Sequence, residues 1–189
     1  HGSFENYRDA KRKLAHALAS SGKPKKCMVA NTDDAEGKMF LRIAGRGGAE
    51  RISYAIVLAE PYRMNENGVE LTFEGETIRS PLLGVFNIRN LLAAASFARS
   101  QGISVAVIKK AVEKFRGVPG RVEKIVAPSA TRRGGGNFSV YVDYAHTPDA
   151  LEKLYGAFPG ARKVCVLGAC GGGRDKWKRP ELGRIAAEH

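Results

Sequence analysis

From Ser139 onward the sequence alternates extended and helical signals, and this alternation restricts the fold more than any other feature of its 189 residues. Ser139 to Val142 is β-branched and aromatic, which favours a strand. Thr147 is a good N-cap, Pro148 suits the first helical position, and Asp149 suits the positive end of a helix dipole, so a helix is expected over 148–155. An apolar run at 163–167, a glycine-rich loop and a last helix over 180–188 follow. Strand, helix, strand and helix in that order predict a parallel sheet flanked by helices, an α/β fold.

The earlier part of the chain reads in the same terms. Phe4 to Leu18 has helical periodicity, residues 26–30 form a short strand, and Asn31-Thr32-Asp33-Asp34 is a turn and cap before a helix at 35–43. Between Arg51 and Pro81 the segments are short and alternating, and Glu74-Gly75-Glu76 sets a hairpin between 69–73 and 77–79. Ile88, Leu91, Leu92, Ala95 and Ala98 mark one helix face, capped by Asn87 and closed by Gly102. Ile108, Ala111, Val112 and Phe115 mark the next, capped by Ser104 and stopped by Gly117. Val118-Pro119-Gly120 is the linker, and strands at 122–126 and 138–142 bracket a loop whose Arg132 to Gly136 core reads as mobile. There are no internal repeats. The chain opens on His1 and closes inside a helical pattern, as a piece of a longer protein would.

With 43% hydrophobic and 26% charged residues, the chain can form an ordinary core in one or two domains. No apolar run approaches the ~20 residues that span a bilayer, and nothing reads as a signal peptide. Cys27, Cys165 and Cys170 lack the spacing of a disulfide framework or a metal finger, so a reducing cytoplasm is the expected setting. A net charge of +12 calls for an anionic partner. The basic residues are spread along the chain and not interleaved with aromatics as in a nucleic-acid platform. The densest cluster, Arg174 to Arg179, sits beside a glycine loop, which favours small phosphorylated or carboxylated ligands.

Five places could carry chemistry. Asp143 and His146 fall where a strand's carboxyl end meets a helix N-terminus, the usual ligand position of an open α/β sheet; the alternative is a capped helix with two solvated side chains. Gly168 to Asp175 can turn successive N–H groups onto an anion. It fits neither the Walker loop, because Arg174 and Asp175 stand where Lys and Ser or Thr are needed, nor the dinucleotide fingerprint, because Cys170 replaces a glycine. There Arg174, Lys176, Lys178 and Arg179 could clamp a carboxylate or phosphate, or the segment is a surface turn. Lys11 falls inside the stripe of Phe4, Tyr7, Leu14 and Leu18 at about 100° per residue. A lysine on a buried face becomes nucleophilic and open to carbamate formation, whereas one with a snorkelling stem does not. Asn87 and Asn90 could read the donor and acceptor edge of adenine, or Asn87 simply caps its helix. Arg121 could hold a phosphate or be an ordinary surface arginine.

Their order along the chain is more telling than any one of them. Gly84-Val-Phe-Asn-Ile-Arg-Asn90-Leu-Leu-Ala-Ala, Val118-Pro-Gly-Arg121-Val-Glu, Val142-Asp-Tyr-Ala-His-Thr-Pro-Asp-Ala-Leu151 and Gly171-Gly-Gly-Arg-Asp with Lys178-Arg179-Pro180 together resemble the Mur ligases, most of all the tripeptide-forming branch. His1 to Lys11 and Asn31 to Asp34 also match, so the resemblance covers almost the whole chain.

The resemblance implies the second part of a central ATPase domain, residues 1–118, with a parallel sheet and a small antiparallel one. Residues 119–189 are then the first part of a Rossmann-like carboxy-terminal ligase domain. It implies ATP-dependent peptide bond formation in peptidoglycan synthesis, with ATP and magnesium as cofactors. The partners are UDP-N-acetylmuramoyl-dipeptide and a free amino acid, diaminopimelate or lysine, and the expected setting is a cytoplasmic monomer without membrane or nucleic-acid partners. By position, Lys11 is the carbamylated lysine that helps hold magnesium, and it and His146 are the catalytic residues. Asn87 and Asn90 contact adenine; Arg121 and Asp143 reach ATP, with His146 and Thr147 beside them. Arg174 binds the carboxylate of the incoming amino acid, with Asp175, Lys178 and Arg179 completing that side.

Three departures stand out. The family's Walker loop and uridine-binding domain would lie upstream of His1, so the chain alone is not expected to turn over. The motif that selects diaminopimelate would lie just past His189. Gly173 replaces the first Asp of the family's Gly-Gly-Asp-Arg-Asp loop. The competing readings are another ligase of the superfamily, of folylpolyglutamate or cyanophycin synthetase type, and a basic nucleic-acid-binding module whose affinity would fall steeply with salt. The Asp143 to Ala150 string weighs against folylpolyglutamate synthetase.

Overall fold

Ser3 starts the first helix, its hydroxyl oxygen accepting the Asn6 amide at 3.1 Å, and α1 runs over Phe4–Ala19. In the computed structural model, which describes residues 2–125, 138–168 and 176–189, the chain next forms a βαβ unit. β1 (Cys27–Asn31) leads through α2 (Ala35–Arg46) into β2 (Glu50–Tyr54), which pairs parallel to β1 from Cys27 opposite Glu50 to Asn31 opposite Tyr54. The Asp34 carboxylate caps α2 by accepting the Glu36 amide at 2.8 Å. Gly37 lets α2 approach the strand end: a Cβ there would lie 1.7 Å from the Asn31 carbonyl oxygen. Ala15, Met28, Leu41, Ile43, Ala44 and Ala49 form the core between α1, α2 and the two strands.

A 3-10 turn at Ile56–Ala59 precedes β3 (Arg63–Asn65), β4 (Gly68–Phe73) and β5 (Glu76–Ser80), a three-stranded sheet in the order β3-β4-β5. The turn between β4 and β5 is the expected Glu74-Gly75 hairpin, with Gly75 in the left-handed region at φ 82°. α3 (Val85–Ser100) buries Ile88, Leu91, Leu92 and Ala95, the stripe expected from the sequence. It starts two residues before Asn87, so Asn87 is not its cap; Gly84, at φ 87°, turns the chain into the helix. α4 (Val105–Lys114) begins after Ser104, whose carbonyl accepts the Val107 and Ile108 amides. Ala111 and Phe115 of its expected apolar face are exposed, and Ile108 carries the burial.

β6 (Glu123–Ile125) and β7 (Val140–Val142) pair antiparallel, Glu123 opposite Val142. α5 (Pro148–Gly156) and α6 (Lys178–Glu188) pack through Leu151, Tyr155, Leu182 and Ile185. Leu151, Leu182 and Ile185 are each 1% exposed, worth about 1.5–3 kcal/mol apiece on burial. The run expected as a strand at 163–167 forms no ladder. A parallel strand is held by hydrogen bonds to a neighbour, and here Val164 and Val166 are 90% and 101% exposed, with none of the described strands alongside. The loop expected over 127–137, and the glycine loop with Arg174 and Asp175, lie outside the described residues.

The contacts divide the chain into two compact units. One comprises residues 1–63, 70–79 and 87–113; the other comprises 64–69, 80–86 and 114–189. No helix among the described residues is long and apolar enough to cross a membrane.

Candidate active site

In the second unit, the strand–helix junction after β7 is built as the sequence suggests. The Thr147 hydroxyl oxygen accepts the Ala150 amide at 3.3 Å, and Pro148 occupies the first turn of α5, where a missing N–H costs nothing. Asp149 stands in that turn and forms an ion pair with Lys153 at 2.6 Å. The half-buried Asp143 carboxylate accepts the Val122 amide at 2.8 Å through one oxygen and the Ala145 amide at 2.6 Å through the other. It thereby fastens the linker to the end of β7. Each oxygen keeps a lone pair that a ligand hydroxyl can use.

Arg121, Asp143, His146 and Thr147, all singled out by sequence, are therefore brought together. The Arg121 guanidinium lies 4.8 Å from the centre of the Tyr144 ring, and the Tyr144 and His146 rings are 4.7 Å apart and tilted by 52°. His146 Nδ1 is 2.9 Å from the Tyr144 carbonyl oxygen. A carbonyl can only accept, so Nδ1 donates in this contact, and the neutral form of the ring has Nε2 as its acceptor. The arrangement offers a guanidinium for a phosphate, a carboxylate for a hydroxyl and an imidazole at one strand–helix junction and the linker clasped to it.

Beside it, Thr147, Pro148, Asp149, Trp177, Pro180, Glu181 and Arg184 line an open cleft of about 560 Å³ between the starts of α5 and α6. Lys178 and Arg179 open α6, Lys178 half-buried and Arg179 exposed. Glu181 and Glu188 both pair with Arg184, and this holds the Glu181 carboxyl below its usual range, through the Arg184 hydrogen bond above all.

The first unit holds Lys11, Asn87 and Asn90. Asn90 Nδ2 donates to Asn87 Oδ1 at 3.2 Å, so the two amides share one face at the start of α3. Asp33 ties this helix to the turn after β1. Its carboxylate accepts the Ile56 amide at 3.0 Å and the Arg89 Nε at 3.2 Å. Burial, with the Asp33 charge adding to it, pushes the nearby Tyr54 hydroxyl above its ordinary pKa.

Lys11 does not sit as the stripe suggested. Phe4, Tyr7 and Leu14 are 68%, 46% and 67% exposed, and Lys11 is exposed with them, its Nζ 5.3 Å from the Tyr7 ring centre. α1 instead packs on α2 through a face about a quarter-turn away at 100° per residue, the face of Ala15 and Arg12. The Arg12 Nε and Nη2 donate to the two Glu36 oxygens at 2.8 and 2.7 Å. This forked pair lies 24 residues apart in sequence, and no local pattern announces it.

Among the described residues no group of three or more His, Cys, Asp or Glu is placed to hold a metal ion. Magnesium keeps several waters and is commonly held by one or two carboxylates plus substrate phosphates. A single carbamate on the accessible Lys11 amine is compatible with such a site.

Two family models cover the chain: the Mur ligase middle domain over residues 1–98 and the Mur ligase, glutamate ligase domain over residues 120–189. The UDP-N-acetylmuramoyl-L-alanyl-D-glutamate--2,6-diaminopimelate ligase of Parasynechococcus marenigrum (strain WH8102) is 36% identical over 203 residues, 99% of this chain and 39% of the relative. The ligase of the same name from Bacillus licheniformis is 35% identical over 201 residues, 100% of this chain and 39% of its own length. The chain thus spans about two fifths of the length of these relatives. A solved structure of a ligase of that name aligns over 100% of this chain and 39% of its own, with TM-score 0.62 and 29% identity. MurF from Acinetobacter baumannii aligns over 100% of this chain and 41% of its own with TM-score 0.77, but at 20% identity it speaks for the fold alone. On the two family models and the order of its motifs, the chain belongs to the Mur ligase family.

Proposed function

We propose that the protein to which this chain belongs joins diaminopimelate to UDP-N-acetylmuramoyl-L-alanyl-D-glutamate at the expense of ATP, in the cytoplasm and as a monomer. In this reading residues 1–118 belong to the central ATP-binding domain and 119–189 to the carboxy-terminal ligase domain. The observation that carries it is the convergence of Arg121, Asp143 and His146 on one strand–helix turn. The names of the relatives support the choice of substrates and of diaminopimelate over lysine.

The D-glutamyl carboxylate attacks the terminal phosphorus of ATP, and ADP leaves. The incoming amine attacks the acyl phosphate carbonyl carbon and loses a proton, the amide bond forms, and phosphate departs with the electrons of the broken C–O bond. Arg121 neutralises phosphate charge, as the developing negative charge requires, and Asp143 accepts a ribose hydroxyl. Asn87 and Asn90 present amide edges to adenine. His146 Nε2 stands as an acceptor beside the reacting groups, with Thr147 next to it. Arg174 pairs with the carboxylate of the amino acid, and Asp175, Lys178 and Arg179 complete that side. Magnesium, when bound, supplies charge neutralisation at the phosphates, and Lys11 as a carbamate is the ligand this chain offers it.

The test is ATP-dependent phosphate release by the full-length protein with UDP-N-acetylmuramoyl-L-alanyl-D-glutamate and diaminopimelate, lysine or no amino acid. Diaminopimelate should stimulate release, Lys11→Ala should abolish it, and short carboxylic acids should restore it. Stimulation by lysine alone would overturn the choice of amino acid. No stimulation by either would overturn the substrate assignment.

A further inference from the structure

We propose that Tyr144 is a positioning residue that makes the linker arginine and the motif histidine a single rigid unit; the inference rests on the nucleotide reading of Arg121. Tyr144 is 58% exposed and contributes nothing to a core, so packing does not explain an aromatic residue there. Three contacts do. Its ring carries the Arg121 guanidinium at 4.8 Å on a chain segment 23 positions away, and its ring meets the His146 imidazole at 4.7 Å. Its carbonyl oxygen fixes His146 Nδ1 at 2.9 Å. Asp143, the preceding residue, clasps Val122, the residue after Arg121, at 2.8 Å.

The backbone clasp and the ring contact therefore act on the same two segments in parallel. An arginine on a turn has many rotamers to lose on binding a phosphate. A guanidinium already held over an aromatic ring, 4.8 Å from its centre, has given up part of that freedom before an anion arrives. The same ring limits the imidazole to one tilt, with Nε2 away from the backbone. Tyr144 thus acts on the nucleotide through Arg121 and His146, not by touching it.

The experiment uses the full-length protein, labelled with 13C at histidine and assayed for ATP-dependent phosphate release. Tyr144→Leu, with Tyr144→Gln as a second variant, should raise the KM for ATP about threefold to fivefold, as loss of an exposed cation–π contact predicts. The KM for the amino acid should stay put. Tyr144→Phe, which keeps the ring face, should restore the original KM. The His146 ring carbons and protons should lose an upfield ring-current shift in the Leu and Gln variants and keep it in Phe. Because part of the Tyr144 effect runs through Arg121, adding Tyr144→Leu to Arg121→Gln should raise the KM by less than the product of the two single effects.

An unchanged His146 spectrum in Tyr144→Leu, or multiplicative effects in the double variant, would overturn the proposal. If the unsubstituted protein shows no ATP-dependent release, the nucleotide reading fails, and the histidine spectrum still decides whether the Tyr144–His146 ring contact exists.

Discussion

Asp143 and Val122 are joined across 21 residues of sequence by a 2.8 Å hydrogen bond from the valine amide to the carboxylate. Val122 holds φ at 48°, in the left-handed region that costs a β-branched residue roughly 1–2 kcal/mol. The bond offsets that cost and sets where Arg121, one residue earlier, leaves the turn. Gly120 also serves the turn, its amide donating to Glu123 Oε2 at 2.7 Å.

Replacing Asp143 by Ala leaves two half-buried amides without an acceptor and should lower stability by about 1–3 kcal/mol. Asn keeps one side-chain oxygen and should cost less. In the Ala background, Val122→Gly should recover about 1 kcal/mol, because glycine adopts the left-handed conformation without strain. Urea unfolding midpoints with unchanged slopes would show it. Equal losses with and without Val122→Gly would mean that the clasp does not support the turn.

The Arg12–Glu36 pair is forked and only 21% and 33% exposed. A double-mutant cycle to Ala should give a small favourable coupling, larger than that of a singly bonded surface pair because the contact is forked. Arg12→Lys should restore little of it, since an ammonium cannot make two parallel bonds to one carboxylate. Thermal unfolding of the four proteins provides the measurement.

Tyr155 governs the alkaline limit of the α5–α6 pair. Burial first, and the neighbouring Cys165 thiol second, push its hydroxyl up to about 12. Among the described residues, no group stands in good hydrogen-bonding geometry to this buried hydroxyl. In the unfolded chain a tyrosine loses its proton near pH 10. The unfolded state therefore binds fewer protons between about pH 10 and 12, and stability falls as pH rises through that window. The contribution is fully present below pH 10, and about 2–3 kcal/mol is lost by pH 12. Tyr155→Phe should remove this part of the decline, leaving that of the lysines, and should not destabilise at pH 7. Paired unfolding curves at pH 8 and 11 would reveal the difference, and parallel declines in the two proteins would refute the assignment.

What the sequence revealed follows the range of the forces involved. Caps and stripes act within one helix, so Thr147, Ser104, Asp34 and the Ile88–Ala95 face were legible from residue order. The start of α3 lies three residues before the one that Asn87 would cap, because Gly84, not a side-chain cap, opens it. The parallel partner of β1 was hidden, since β2 reads Glu-Arg-Ile-Ser-Tyr and has no apolar run to mark it. The Arg12–Glu36 and Asp33–Arg89 pairs join residues 24 and 56 positions apart, beyond any local pattern. At the candidate site the motif named Asp143 and His146, and the chain does bring them to Arg121. What it could not give was the agent, because the Tyr144 ring gains its meaning only once the linker folds back upon it.

The outward stripe of α1 separates two kinds of selection. Phe4, Tyr7, Lys11 and Leu14 contribute little to the fold of the described residues, and substitutions at such positions usually shift stability by no more than about 0.5 kcal/mol. A library of variants there, ranked by thermal resistance, should be nearly flat. Any steep ranking of the same library by growth or turnover would then report activity or recognition, with folding removed from the comparison.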